Sequence, residues 1–223
     1  MAVTGLRLFG VAVIPGRSDG VLAPQTTVVG YRDLGAVVRQ TPYERVELSD
    51  HELEEYHRVV EAVFERYTIL PAPFGAVFRS GDQVARWLQM HYIALTEGIH
   101  LVDGRCEMRV HIRVARGAKP AAVAAGALDD DEEEDDEELE HSPELTSAAA
   151  ESFRALRRQA VAAVPLRQPE GDAVLSGAFL VERAHWGDFA EVVATQARRV
   201  EGLTFEQTGP WPPYDFVRMD LRA

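Results

Sequence analysis

The segment HELEEYH, residues 51–57, carries the residue types of a zinc-protease helix, in which two histidines and a glutamate share one face. Its spacing is different. Position 55 is Glu55, and the second histidine, His57, comes six residues after His51. Such a step turns a helix through about 600°, so the two rings leave it in different directions. No metal site is expected here. His57 shares a helix face with Leu53 and Val60, which predicts a partly buried histidine with a hydrogen-bond partner. His91 and His100 are too far apart to make a pair on one helical face, and His111 and His185 fall in separate elements.

Other chemistry is equally hard to assemble. GRSDG and GAVFRSGD lack the spacing of a phosphate loop or a dinucleotide fingerprint. No GxSxG elbow occurs. The single cysteine, Cys106, excludes an internal disulfide and a CxxC motif, and it opens an apolar strand, where a small structural residue is expected. Residues 129–140, DDDEEEDDEELE, resemble a calcium loop in charge, but lack its central glycine and alternating ligands. The residues therefore point to no catalytic centre and no cofactor, and an enzyme is not expected.

Charge narrows the partners. The net charge is −13, and eleven acidic residues sit in that one run, so the rest carries −13 + 11 = −2. With no basic face to neutralise phosphates, nucleic-acid binding is not expected. No run of eighteen apolar residues could span a bilayer and no early basic-then-apolar stretch is present, which predicts a soluble intracellular protein without a lipid-membrane partner. At 223 residues and 46% hydrophobic, the chain can bury a real core.

The elements that must position any site follow from periodicity. Leu6, Leu8, Val11 and Val13 mark a first strand, and Leu34 to Val38, almost wholly apolar, a strand covered on both faces. Ser49-Asp50-His51-Glu52 is a capping box that opens a helix with Leu53, Tyr56, Val60, Val63 and Phe64 at helical spacing. Ser80-Gly81-Asp82-Gln83 repeats the signature, opening a helix with Val84, Trp87, Leu88 and Leu95 on one stripe. EMRVHIRVA alternates as a strand with one buried face. Phe153, Leu156, Ala160 and Val164 line a helix, VPLRQ is a candidate short strand and AVLSGAFLVER a strong one. Trp186 to Val200 is amphipathic, and LTFEQ and YDFVRMDL close the chain as strands. The expected fold is α+β in two domains: 1–104, and 105–223 as a modified ferredoxin-like βαββαβ sandwich with a flexible acidic insert at about 116–145.

One stretch is left over. In TGPWPPYDFV, residues 208–217, Gly209, Trp211 and Pro212 each precede a proline. Proline fixes φ and removes a donor, and it pushes the preceding residue towards extended geometry. The stretch is therefore a stiff bend, poorly suited to a central strand, that holds Trp211 and Tyr214 in set directions. It can serve as a core-locking corner or as a presented binding surface.

This stretch closely resembles the C-terminal signature of the gas vesicle protein GvpF/GvpL family. GAFLVERAHWGDFAEVV resembles the strand-helix segment before that signature, and TILPAPFGAVFRS the family's central segment. LRLFGVAVIPG and YRDLGAVVRQTP resemble its opening strands, and His57 falls where the family often has a histidine. This chain has Pro73 where an arginine is common before FG, and the acidic run is not a family hallmark. The resemblance implies a cytoplasmic, gas-vesicle-associated accessory protein with no catalytic residue and no cofactor. It implies binding of the small hydrophobic shell protein GvpA, protection of it from aggregation, help in starting vesicle assembly, retention as a minor vesicle component, and contacts with other gas vesicle accessory proteins. An apolar client needs apolar anchors held by stiff loops, and Phe74, Phe78, Trp211 and Tyr214 are the candidates. A self-repelling acidic loop would keep the complex soluble. The competing readings are a small ferredoxin-like-fold enzyme, which needs a coloured cofactor or a polar pocket, and a ligand-sensing module.

Overall fold

The computed structural model describes residues 3–14, 22–115, 142–166 and 173–221. The acidic run, GRSDG and the end of VPLRQ lie outside the described residues. The fold is mixed α/β with two antiparallel sheets. The chain forms two compact units: Met1–Glu107 with Pro210–Ala223, and Met108–Gly209. A single crossing after residue 104 is the expected boundary; the chain also returns, and the segment from Pro210 is part of the first unit.

In the first unit, β1 (Thr4–Val13), β2 (Thr27–Tyr31), β3 (Leu34–Pro42) and β4 (Ile69–Pro71) form a sheet in the order β2-β3-β1-β4, and β5 (Val77–Phe78) also pairs with β1. The apolar spacing of β1 breaks strict alternation, and the register shows why. Leu8 faces Val38 but Gly10 faces Val37, so Phe9 is the extra residue of a β-bulge. The bulge resets the alternation. Leu6, Leu8, Val11 and Val13 all lie against one core, while Phe9, Ala12 and Ile14 lie against the other. Gly10 permits the close approach of β4, because a Cβ there would stand 2.7 Å from the Leu70 carbonyl oxygen.

Helices cover both faces of this sheet. α1 (Asp50–Phe64) packs Tyr56, Val59, Val60 and Val63 on the Phe9 side. α2 (Gly81–Met90) and α3 (Tyr92–Val102) pack Val84, Trp87, Leu88, Leu95, Ile99 and Val102 on the Leu8 side. Ser49 and Ser80 are the N-caps, each accepting from the N–H three residues on. The helix expected to run unbroken from Val84 to Leu95 is two helices. His91 leaves helical geometry at φ −99°, ψ 10°, so the stripe of α2 packs on β2 and that of α3 on β4.

The second sheet has the order β7-β8-β6-β9, from β6 (Arg105–Val114), β7 (Ala162–Pro165), β8 (Ala173–Glu182) and β9 (Leu203–Trp211). α4 (Pro143–Arg157) follows β6 and α5 (Trp186–Arg199) follows β8; both pack on β8 and on each other. Phe179 of β8 meets Phe153 of α4 at 5.1 Å between ring centroids and Phe189 of α5 at 5.2 Å, in the range where offset aromatic pairs are favourable. Met108, Val110 and Ile112 are buried and alternate with half-exposed Arg109, His111 and Arg113, as expected. The helix expected to reach Val164 stops at Arg157, and Val164 lies in β7. Pro165 keeps Val164 out of a helix: proline has no N–H to donate and turns its predecessor away from helical φ and ψ.

Candidate partner-binding site

The proline-rich stretch begins on β9, an edge strand. Pro210 lies within it, a position where a missing donor is tolerated. Gly209 has φ +116°, a conformation that L side chains rarely adopt. Trp211 ends the strand 36% exposed, while Pro212 and Pro213 are buried. The chain then turns through a short 3-10 helix, Tyr214–Phe216, with the Tyr214 N–H on the Pro212 carbonyl at 2.8 Å. YDFVRMDL is therefore not the strand its alternation suggested.

Two buried or half-buried groups hold the turn. The carboxylate of Glu107, 0% exposed at the start of β6, accepts the Asp215 N–H at 2.8 Å. The Tyr214 hydroxyl is hydrogen-bonded to His57 Nδ1 at 3.0 Å, with the rings edge to face at 5.1 Å. His57 is thus the half-buried, partnered histidine its spacing predicted.

Tyr56 is the hub of this cluster. Its ring lies 6.2 Å from Phe9, 5.8 Å from Phe74 and 6.3 Å from Tyr214. Its hydroxyl donates to the Ala72 carbonyl. Arg7, buried on β1, sets its guanidinium 5.1 Å from the Phe9 ring and 5.2 Å from the Phe74 ring. The charge of Arg7 is met by Glu52, and Arg39 pairs with Glu55 at 2.6 Å. Two of the three carboxylates of HELEEYH, Glu52 and Glu55, therefore serve arginines of the sheet. Glu52 completes only half of the expected capping box: its N–H reaches Ser49 while its side chain goes to Arg7.

Burial pushes the Tyr56 phenol well above its ordinary value, against the smaller downward pull of Arg7. The neutral phenol is therefore the form the fold favours, and the unfolded chain loses that proton first as pH rises. The stability this group contributes is whole below the unfolded value of 10.0 and is lost as pH climbs beyond it. Tyr56→Phe should flatten the alkaline fall in stability, measured by urea denaturation from about pH 8 to about pH 11.

Of the four aromatics singled out from the sequence, the structure brings Phe74 and Tyr214 to the same ring, Tyr56. Trp211 is exposed. Phe78 is 4% exposed on the other face of the sheet, against Trp87 at 5.6 Å. The sequence reading passed over Arg7, Arg39 and Glu107. The only signals were a lone arginine within an apolar strand and a glutamate in phase between Cys106 and Met108. An open groove of about 770 Å³ along α2, lined by Arg79, Ser80, Gln83, Arg86, Gln89 and Met90, shares no residue with this cluster. Among the described residues no three His, Cys, Asp or Glu side chains are grouped to hold a metal ion, and no helix is long and apolar enough to cross a membrane.

Comparison with known proteins agrees with this architecture. Two crystal structures share the fold: GvpF from Anabaena sp., with TM-score 0.77 at 20% identity over 97% of each chain, and GvpF from Microcystis aeruginosa, with TM-score 0.72 at 19% identity over 96% of this chain and 99% of that one. In sequence, the chain is 26% identical to gas vesicle protein F of Haloferax mediterranei over 92% of its length and 88% of the relative's. It is 27% identical to gas vesicle protein L of a Streptomyces species, over the same shares. The family model for gas vesicle synthesis protein GvpL/GvpF matches residues 8–218. With nearly the whole chain covered, including the bulged first strand and the proline-rich turn, the protein belongs to the GvpL/GvpF family of gas vesicle proteins.

Proposed function

We propose that this chain is an accessory protein of gas vesicle formation that works in the cytoplasm and at the vesicle. In this reading it binds the small hydrophobic shell protein GvpA, limits its aggregation and assists assembly together with other accessory proteins. The second unit is read as a modified ferredoxin-like fold, supported by the element order β6-α4-β7-β8-α5-β9 and the strand order β7-β8-β6-β9. Family membership supports the gas vesicle setting.

The observation that carries the contact is the exposed Trp211, set between Pro210 and the buried Pro212-Pro213 pair. An indole held this way has little freedom left to lose on binding, which is the condition for an aromatic hot spot. Phe74 and Tyr214, half-buried on Tyr56, are the proposed supporting contacts. Phe78 offers no surface while its unit is folded and is left out of the contact set. Trp211→Ala should weaken capture of the shell protein by about thirty-fold, the equivalent of roughly 2 kcal/mol, and leave the melting temperature nearly unchanged. Undiminished capture by a folded Trp211→Ala chain would remove Trp211 from the site.

A further inference from the structure

We infer that the groove filled by Val217–Leu221 is a docking site for an extended apolar segment of a partner, and that the chain's own tail is a displaceable placeholder in it. The inference rests on the reading above that the partner is an apolar client.

The tail shows what the groove accepts. Val217 is extended, at φ −121° and ψ 126°. Val217, Met219 and Leu221 are half-buried against the Leu8 core, whereas Arg218 and Asp220 are exposed. That is the two-residue period of an extended chain with one side in. The backbone contact is independent of sequence: the buried Trp87 indole N–H donates to the Asp220 carbonyl at 2.8 Å. Pockets for alternate side chains, with a fixed donor for the main chain, are how proteins recognise extended peptides.

The tail is also built to leave. No residue from Val217 to Leu221 belongs to a strand ladder or helix, so its departure breaks no sheet. The anchor lies upstream, where Glu107 holds Asp215 and His57 holds Tyr214. The Tyr214 ring packs on the opposite core, so the proline turn can stay seated while Val217–Leu221 lift. Segments outside helices and strand ladders are among those that open locally. A vacated groove would expose the Trp87 N–H, and a partner's carbonyl would satisfy it again. The fitting partner segment has apolar residues at i, i+2 and i+4 in extended conformation.

The test uses the full chain and a fluorescein-labelled peptide of sequence YDFVRMDL, read by anisotropy. Val217→Asp, Met219→Asp and Leu221→Asp together release the resident tail. The released variant should bind the peptide saturably, at least ten-fold more tightly than wild type, whose groove is filled. Adding Trp87→Phe should weaken that binding several-fold, and an unlabelled peptide from an apolar strand of the shell protein should compete. A released variant that melts cooperatively yet binds no peptide overturns the proposal. So does a released variant that has lost cooperative melting, because the tail is then a permanent part of the core. Peptide binding without competition by the shell-protein peptide overturns the assignment of the partner. Co-purification of the shell protein with the intact chain tests the client reading separately, so the two failures are distinguishable.

Discussion

Trp87→Ala should destabilise the first unit by about 3–5 kcal/mol, the usual cost of deleting a buried large aromatic. The indole is 0% exposed and lies 5.6 Å from the rings of both Phe78 and His91. It also supplies the donor that holds the Asp220 carbonyl. Truncation therefore opens a cavity in the Leu8 core and orphans the tail at once. Trp87→Phe separates the two effects. The smaller ring still fills much of the space but has no N–H, so a lost hydrogen bond of about 0.5–1.5 kcal/mol is added to a modest packing loss. Urea denaturation, with limited proteolysis reporting on residues 217–221, measures both. If Trp87→Ala cost less than about 1 kcal/mol, the indole would not be the centre of this core.

A second contrast uses one substitution at two glycines of the same sheet. At Gly10 a Cβ would stand 2.7 Å from the Leu70 carbonyl oxygen, and equally close to the Ile69 side chain. The carbonyl is backbone in a paired strand, Val11 facing Leu70, and cannot rotate away. Gly10→Ala should therefore cost about 1–3 kcal/mol by overpacking, with loss of the β1–β4 pairing as the means of relief. At Gly30, on the edge strand β2, the nearest atom to a new Cβ is 3.9 Å away. Gly30→Ala should be neutral, or stabilising by about 0.4–1 kcal/mol, because it restricts the unfolded chain. Thermal melts of the two variants side by side decide it. Equal effects at both sites would contradict the close approach of β4 that the bulge in β1 accommodates.

Much of this was readable from residue types. Strands β1, β3, β6 and β8 and helices α1 and α5 followed from period, the short β2, β4 and β5 did not, and both serine caps lie where their signatures put them. The stiffness of TGPWPPY followed from proline chemistry alone, and its place at a sheet edge agrees with the missing donor of Pro210. What stayed hidden was non-local. Arg7 and Glu52 are 45 residues apart, and Glu107 and Asp215 are 108 apart; nothing in either neighbourhood announces the other. The tail was misread for a physical reason. Alternating Val217, Met219 and Leu221 look the same in a ladder as in a groove, because the two-residue period belongs to extended backbone and not to strand pairing. Likewise the Leu6, Leu8, Val11, Val13 spacing signalled a strand, but only the register with β3 shows that a bulge at Phe9 keeps these residues on one face.

We propose that this chain keeps a small hydrophobic shell protein in solution through direct contact. The measurement is co-expression of the full chain with the shell protein, followed by sedimentation and affinity capture of the chain. Shell protein is expected in the supernatant and in the captured complex. Shell protein that pellets with none captured, while this chain remains folded and soluble, would contradict it.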